Sequence, residues 1–279
     1  ALGANIKAIK TRIKSIDSTM HLTKAMQLVA SSKMKSATEA MEQSRCYLDA
    51  LMATVSNLIS NETKNSEFIK PREVKKTCLI VIAGDRGLAG GYNGNIYKKT
   101  DAVAEGKSVC ILPIGKRTVE HMIAHKYEIL SDKYISTEKL TLSDCAELGR
   151  DITERFKNGE FDKVELISTK YVSMLAQVPQ KTQLLPIPQS EDKKADGYIM
   201  FEPDSITVLN SIIPSYISGM VYASTRESFT SELSARRNAM DSATKNAEDM
   251  MDKLSIEYNR ARQSTITQEI TEIVAGAEA

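Results

Sequence analysis

Hydrophobic positions along the first sixty residues recur at alternating steps of three and four. Ile6, Ile9, Ile13, Ile16, Met20, Ala30, Met34, Ala37, Met41, Leu48, Leu51, Val55 and Leu58 all fall on one frame. Thr23, Gln27 and Ser44 are the polar interruptions on it. Neither Pro nor Gly occurs from Ala4 to Ile69. Such spacing draws a narrow apolar seam along one long helix. Fifty-odd residues rise to a rod of about 80 Å. A rod of that length cannot fold back into a compact domain, so it needs a partner helix.

The far end of the chain supplies one. Between Pro214 and Ala275 there is no further Pro, and Gly219 is the one Gly. Leu233, Met240, Ala243, Ala247, Met250, Leu254 and Ala261 again space as three, four or seven, and Ile266, Ile270 and Ile273 continue with a shifted phase. Two long helices far apart in sequence pair antiparallel only if a compact insert turns the chain around.

The period changes in the middle. TCLIVIAG (77–84), SVCILPI (108–114) and KVELISTKYV (163–172) read as buried strands. Residues 93–105, 116–126 and 142–156 read as helices, the last with Ser143 or Asp144 as its cap. Alternating strands and helices predict a small, mainly parallel α/β domain. The Pro-rich, charged stretch 177–197 reads as a loop with an edge strand, and Pro203-Asp204 is a helix-start signal.

Composition narrows the class. The chain is 42% apolar and 26% charged, as a folded protein should be. With 37 basic and 36 acidic residues the formal charge is +1, which makes no whole-chain case for nucleic acid. Aromatics are only 5% and Trp is absent, while there are 12 Met, which suits helix–helix seams better than a globular enzyme core. Cys46, Cys78, Cys110 and Cys145 are widely spaced without CxxC, so reduced thiols are expected. Apolar runs reach about six residues, against roughly 20 for a membrane crossing. The basic, periodic opening ALGANIKAIKTRIK has no apolar signal-peptide core.

GDRGLAGGYN (84–93) follows an apolar strand and precedes a helix, where nucleotide enzymes put glycines. It fits neither strong pattern. A P-loop needs Lys-Ser or Lys-Thr after its glycines, and a dinucleotide fingerprint needs GxGxxG, whereas Gly84 and Gly87 are three apart. The other reading is a structural or contact turn, with Asp85 and Arg86 as exposed polar groups offered to a neighbour. His121 and His125 are four apart on a helix, but Met122 stands where HExxH needs Glu, so a polar helix face is expected rather than a metal site. Lys7, Lys10, Arg12, Lys14, Lys24, Lys33 and Lys35 face one acid, Asp17, before residue 36. Arg236, Arg237, Arg260 and Arg262 repeat the bias. These charges form either a solvated face or a face for acidic protein surfaces. No nucleophile–base constellation is present.

ITQEITEIVAGAEA (266–279), with YNRARQ (258–263) before it, resembles the C-terminal signature of the gamma subunit of F-type ATP synthases. IKTRIKSIDSTMHLTKAMQLVASSKM (9–34), SARRNAMDSATKNAEDMMDKL (234–254) and GDRGLAGGYN are similar to that family as well. The resemblance covers the whole chain in order, and its wording is similar to bacterial members. It implies an α/β fold plus a long antiparallel coiled coil: two terminal helices paired as a shaft, with an inserted Rossmann-like α/β domain. The expected boundaries are 1–72, 73–202 and 203–279.

The role this resemblance implies is a non-catalytic rotor shaft. It turns inside a hexamer of alpha and beta subunits and stands on the epsilon subunit and the membrane c-ring. It couples proton flow to ATP synthesis or hydrolysis on the beta subunits. By resemblance, Lys24 and Met26 lie where the opening helix meets the beta levers, and Arg236, Thr267 and Glu269 couple to that region across the helix pair. Arg262 and Gln263 lie at a beta catch loop, and Arg86 and Ala89 where the α/β domain faces the levers. Many relatives have Cys at Ala89, so a thiol there is not essential, and the cysteine-pair insert of chloroplast members is missing. No catalytic residue, cofactor, metal, nucleic acid or small-molecule substrate is expected. The implied location is the cytoplasmic face of a bacterial plasma membrane, or the matrix side of a mitochondrial inner membrane. The competing class is a nucleotide-binding enzyme with coiled-coil arms.

Overall fold

The run TCLIVI forms strand β1 (Thr77–Ile82), with every residue buried. An unbroken apolar run marks a strand covered on both faces, and the computed structural model shows both covers. It describes residues 2–59, 63–188 and 202–277, with side chains from Ile6 onward. The other elements are α1 (Leu2–Leu58), α2 (Tyr92–Ala104), β2 (Val109–Ile114), α3 (Lys116–Ala124), α4 (Leu142–Lys157), β3 (Lys163–Tyr171), β4 (Gln177–Leu185) and α5 (Ser205–Ala277).

The chain divides into two compact units, Ala1–Ser32 with Arg236–Ala279, and Lys33–Ala235. Both long helices contribute to each unit. In the larger unit the sheet runs in the order β2-β1-β3-β4. β1 pairs parallel with β2 and with β3. β4 is an antiparallel edge strand on β3. It matches the edge strand expected after residue 177, while the loop expected over 189–197 lies outside the described residues.

Alternate strand residues feed two cores. Cys78, Ile80, Ile82, Leu112, Ile114, Val164 and Leu166 pack with Val55 and Leu58 of α1, Leu148, Ile152 and Phe156 of α4, and Leu209, Ile213, Ile217 and Val221 of α5. Leu79, Val81, Ile111 and Ile167 pack with Ile96 and Val103 of α2 and Met122 of α3. One 18-residue stretch of α5 has a mean hydropathy of 1.3, and half of it is buried inside the protein. That stretch is long and apolar enough to cross a membrane by composition, a property that a buried core helix shares.

Two local expectations are corrected. The cap of α4 is Thr141, not Ser143 or Asp144. Its hydroxyl accepts from the Asp144 backbone N–H at 3.2 Å, and the Asp144 carboxylate accepts from the Thr141 N–H at 2.8 Å. This reciprocal box sets the helix start, and Thr141 was hidden by the more polar pair after it. The seam of α5 in the smaller unit is also displaced. Thr244 and Leu254 are buried, whereas Met250 is 51% exposed. A seam chosen by apolarity alone selects Ala243 and Met250; the helix instead turns a hydroxyl inward.

Gly149 of α4 marks a close approach to α5. A Cβ there would land on the Pro214 carbonyl oxygen and the Ser218 hydroxyl of α5. Neither atom has room to retreat, because the Ser218 hydroxyl already donates to Pro214 O at 2.6 Å. Gly149→Ala should therefore destabilise the larger unit by about 1–3 kcal/mol, read as a lowered urea midpoint with an unchanged slope.

Candidate functional site

The loop GDRGLAGGYN leaves the carboxyl end of β1, the strand from which the order turns both ways. Its first residues are fixed from within. The Gly84 N–H donates to Asn93 Oδ1 at 2.8 Å, and Asn93 Nδ2 donates back to the Arg86 carbonyl at 3.2 Å. The Asp85 and Arg86 N–H groups both donate to the Glu232 carboxylate of α5, at 3.4 Å each. Glu232 is only 2% exposed. A Cβ at Gly84 would stand 2.9 Å from the Glu232 carboxylate and from Asn93 Oδ1, so both side chains would have to shift to admit one. Leu88 takes a left-handed φ of 59° and is 64% exposed.

Asp85 is not offered to a neighbour as the sequence led us to expect. Its carboxylate accepts from the Thr137 N–H at 2.9 Å, the Ser136 hydroxyl at 3.0 Å and the Glu138 N–H at 3.4 Å. Arg226 of α5 holds the other side of that loop, donating to the carbonyls of Thr137 at 2.6 Å and Leu140 at 3.0 Å. Glu138 pairs with Lys33 of α1.

These contacts belong to a wider polar hub, residues 226–234 of α5. Glu227 pairs with Arg45 of α1 at 2.6 Å and accepts from the Tyr171 N–H at 3.1 Å. Ser228 O accepts from the Tyr92 hydroxyl at 2.9 Å. Burial, then the Glu232 charge, pushes the Tyr92 phenol well above its ordinary value, so it stays a donor. Thr230 donates to Ala37 O at 3.1 Å and Ser234 to Met174 O at 2.7 Å. The sequence reading missed this hub. Its signal was the run STRESFTSELS (224–234), polar where a seam predicts apolar residues.

Arg86 is exposed, but Ala89 is 3% exposed and faces inward. The outward large side chain of this turn is Leu88.

In the smaller unit, α1 and α5 run antiparallel. Thr23 and Thr244 share a hydrogen bond of 2.8 Å, and Gln27 donates to Asp241 at 2.9 Å. Two of the three polar interruptions of the α1 frame, Thr23 and Gln27, thus make cross-helix hydrogen bonds, while Ser44 donates back to Met41 O at 2.7 Å. Lys24 is exposed and Met26 half-buried beside them. Leu22, Leu28 and Val29 are 60%, 63% and 54% exposed. Arg236 is 8% exposed, so it does not belong to a solvated basic face. Arg262, Gln263, Thr267 and Glu269 are exposed, about twenty residues further along α5 than Asp241 and Thr244, which meet Gln27 and Thr23. The structure therefore brings Lys24 and Met26 to the level of Asp241 and Thr244, and leaves Thr267 and Glu269 apart from them. Ile266, Ile270, Ile273 and Val274 are all at least 44% exposed.

His121 and His125 form a ring stack with Tyr97, at 3.7 and 3.9 Å between centroids. Among the described residues, no group of three or more His, Cys, Asp or Glu could hold a metal ion.

Comparison with known proteins agrees over the full chain. The ATP synthase family model matches residues 5–279. An ATP synthase gamma chain of Ruminococcus albus is 43% identical over 97% of this chain and 96% of its own. The sodium-ion-specific gamma chain of Acetobacterium woodii is 38% identical over 100% and 99%. A chain of the Euglena gracilis mitochondrial ATP synthase, solved as OSCP/F1/c-ring, is similar in fold, with a TM-score of 0.71 at 18% identity over 99% of this chain and 94% of that one.

Two outcomes follow from the geometry of the larger unit. Asp85→Ala strips three donors of their acceptor and should cost about 1–3 kcal/mol in denaturant melts. Burial, then the neighbouring His125, holds His121 below its ordinary value. The unfolded chain then binds the proton more readily, so stability falls as pH drops through about 6.5 towards the folded value. His121→Phe keeps the stack and should flatten that slope.

Proposed function

The chain belongs to the ATP synthase gamma-chain family, and from that membership we infer that it is the non-catalytic central rotor shaft of an F-type ATP synthase. Nucleotide chemistry resides elsewhere in the complex, and this chain couples it to ion flow by turning. The match at 43% identity over almost the whole of both chains carries this reading.

The physical properties of the smaller unit suit the role. A shaft must hold its two helices together, and a Thr–Thr bond with a Gln–Asp bond pins their register. It must also slide past successive partners. Exposed charges such as Lys24 and Arg262 contribute about 0–1 kcal/mol per ion pair, so they guide acidic surfaces without locking to them. Exposed apolar residues around Leu22 and Val29, and from Ile266 to Val274, are surfaces that a partner covers. A largely apolar tip turns in a sleeve because it offers few groups that demand fixed hydrogen-bond partners.

Our finer reading assigns the partners. Alpha and beta subunits surround the tip, and the foot stands on the epsilon subunit and the c-ring. Lys24 and Met26 meet the beta levers, Arg262, Gln263, Thr267 and Glu269 the upper sleeve, and Arg86, carried on the turn above buried Ala89, a further beta surface. Arg236 acts from inside the helix pair. The complex is membrane-associated, and bacterial relatives support the cytoplasmic face of a plasma membrane; our reading takes protons as the coupling ion, although one relative is sodium-ion specific.

Titrating the isolated chain with ATP should show no binding or turnover, and strong ATPase should appear only on mixing with alpha and beta subunits. Tight binding by the lone chain would favour the enzyme class instead. Arg262→Ala and Arg86→Ala should lower ATP-driven ion pumping in the assembled complex while leaving the melting temperature of the chain within a few degrees. A large drop in that temperature would show that these side chains serve the fold.

A further inference from the structure

β1 lies between β2 and β3, so the chain leaves the middle of the parallel sheet first to one side and then to the other. In open α/β sheets the crevice beyond the carboxyl ends of strands at such a switch point is where ligands bind, and phosphates meet glycine-rich backbone there. This chain has the corresponding parts. A glycine ends the strand, successive backbone N–H groups of Asp85 and Arg86 converge on one point, and Gly84 leaves no room for a side chain. Consecutive amides that converge in this way make a concavity for an anion. The anion is present: the carboxylate of Glu232, almost fully buried, enters from α5.

We propose that residues 84–86 form an anion cradle whose permanent occupant is the chain's own Glu232, and that the negative charge of this carboxylate holds the Arg86–Leu88 turn in place. Glu232 is a positioning residue. Withdrawing it leaves two amides facing a void and frees a turn that already carries Leu88 in a left-handed conformation. The same occupancy closes the crevice to phosphate from outside. Because the occupant sits on α5, the turn cannot lift without parting from that helix. The charge acts on the Tyr92 phenol of α2, which it helps to push up, and lies beside Gly84 together with Asn93 Oδ1, while the neighbouring Asp85 carboxylate is directed to the 136–138 loop.

Limited trypsin digestion of the full-length chain reads the turn directly, since cleavage after Arg86 requires it to lift. Glu232→Gln keeps the size and removes the charge; Glu232→Ala removes both and leaves space for a small carboxylate. Both should speed cleavage at Arg86 roughly tenfold. Cleavage after Arg262, exposed in the other unit, serves as the internal reference and should not change. Added formate should slow cleavage of Glu232→Ala towards the native rate, and leave the native chain and Glu232→Gln unaffected. The proposal requires both results. Native-rate cleavage of Glu232→Gln overturns it, because shape alone would then hold the turn. Failure of formate to protect a folded Glu232→Ala also overturns it. If far-UV dichroism shows that Glu232→Ala does not fold, the Gln variant decides alone.

Discussion

Burial of polar side chains on one helix is the constraint on which the larger unit depends. A Ser or Glu carried into a core costs more than it returns unless its hydrogen bonds are made. Residues 226–234 of α5 carry several such groups inward at once. Most are answered by other pieces of the chain: Arg45 and Ala37 of α1, the Gly84 loop, the 136–140 loop and the turn after β3, while Tyr92 of α2 takes the Ser228 carbonyl; the buried Ser231 hydroxyl is an exception. Apolar packing above and below supplies the bulk of the driving force, but it does not choose among neighbouring registers. The polar contacts narrow that choice, because donors from several elements meet the same few groups: Glu227 accepts from both Arg45 and the Tyr171 N–H.

The smaller unit uses the same logic more sparingly. Its seam is mostly apolar or small, and two cross-helix hydrogen bonds fix how α1 and α5 align. Thr23 and Thr244 bond each other inside the seam, so neither is left unsatisfied. The outer faces keep exposed Leu, Val and Ile side chains that a lone helix pair has no use for.

Much of this was legible in the chain. Period alone separated long helices from strands, and TCLIVI announced a strand covered on both faces. The failures share a cause: reading by polarity assumes that polar residues face water. Thr244 displaced Ala243 from the seam because a hydroxyl with a partner is as good an inward residue as a methyl. Arg236 counted among the basic charges of a face, yet it is buried. Asp85 read as exposed because its acceptors' partners, at residues 136–138, lie fifty positions away in sequence. Ala89 read as a contact by resemblance, and no local rule predicts that its Cβ turns inward while Leu88 turns out. Long-range pairing of polar groups has no period, so it leaves no trace in a hydropathy pattern.

The hub has a mechanical consequence. An apolar interface can slip by one helical turn, about 5.4 Å, and recover most of its contact area. The contacts of residues 226–234 resist such a slip, because a shift of one turn takes the Glu232 carboxylate off the Gly84 loop and the Arg226 guanidinium off the 136–140 loop together. The α/β insert is therefore keyed to α5 at one angle and one height, as a gear is keyed to its axle. Torque that reaches the insert is carried to the helix through these polar contacts as well as through the apolar packing around them.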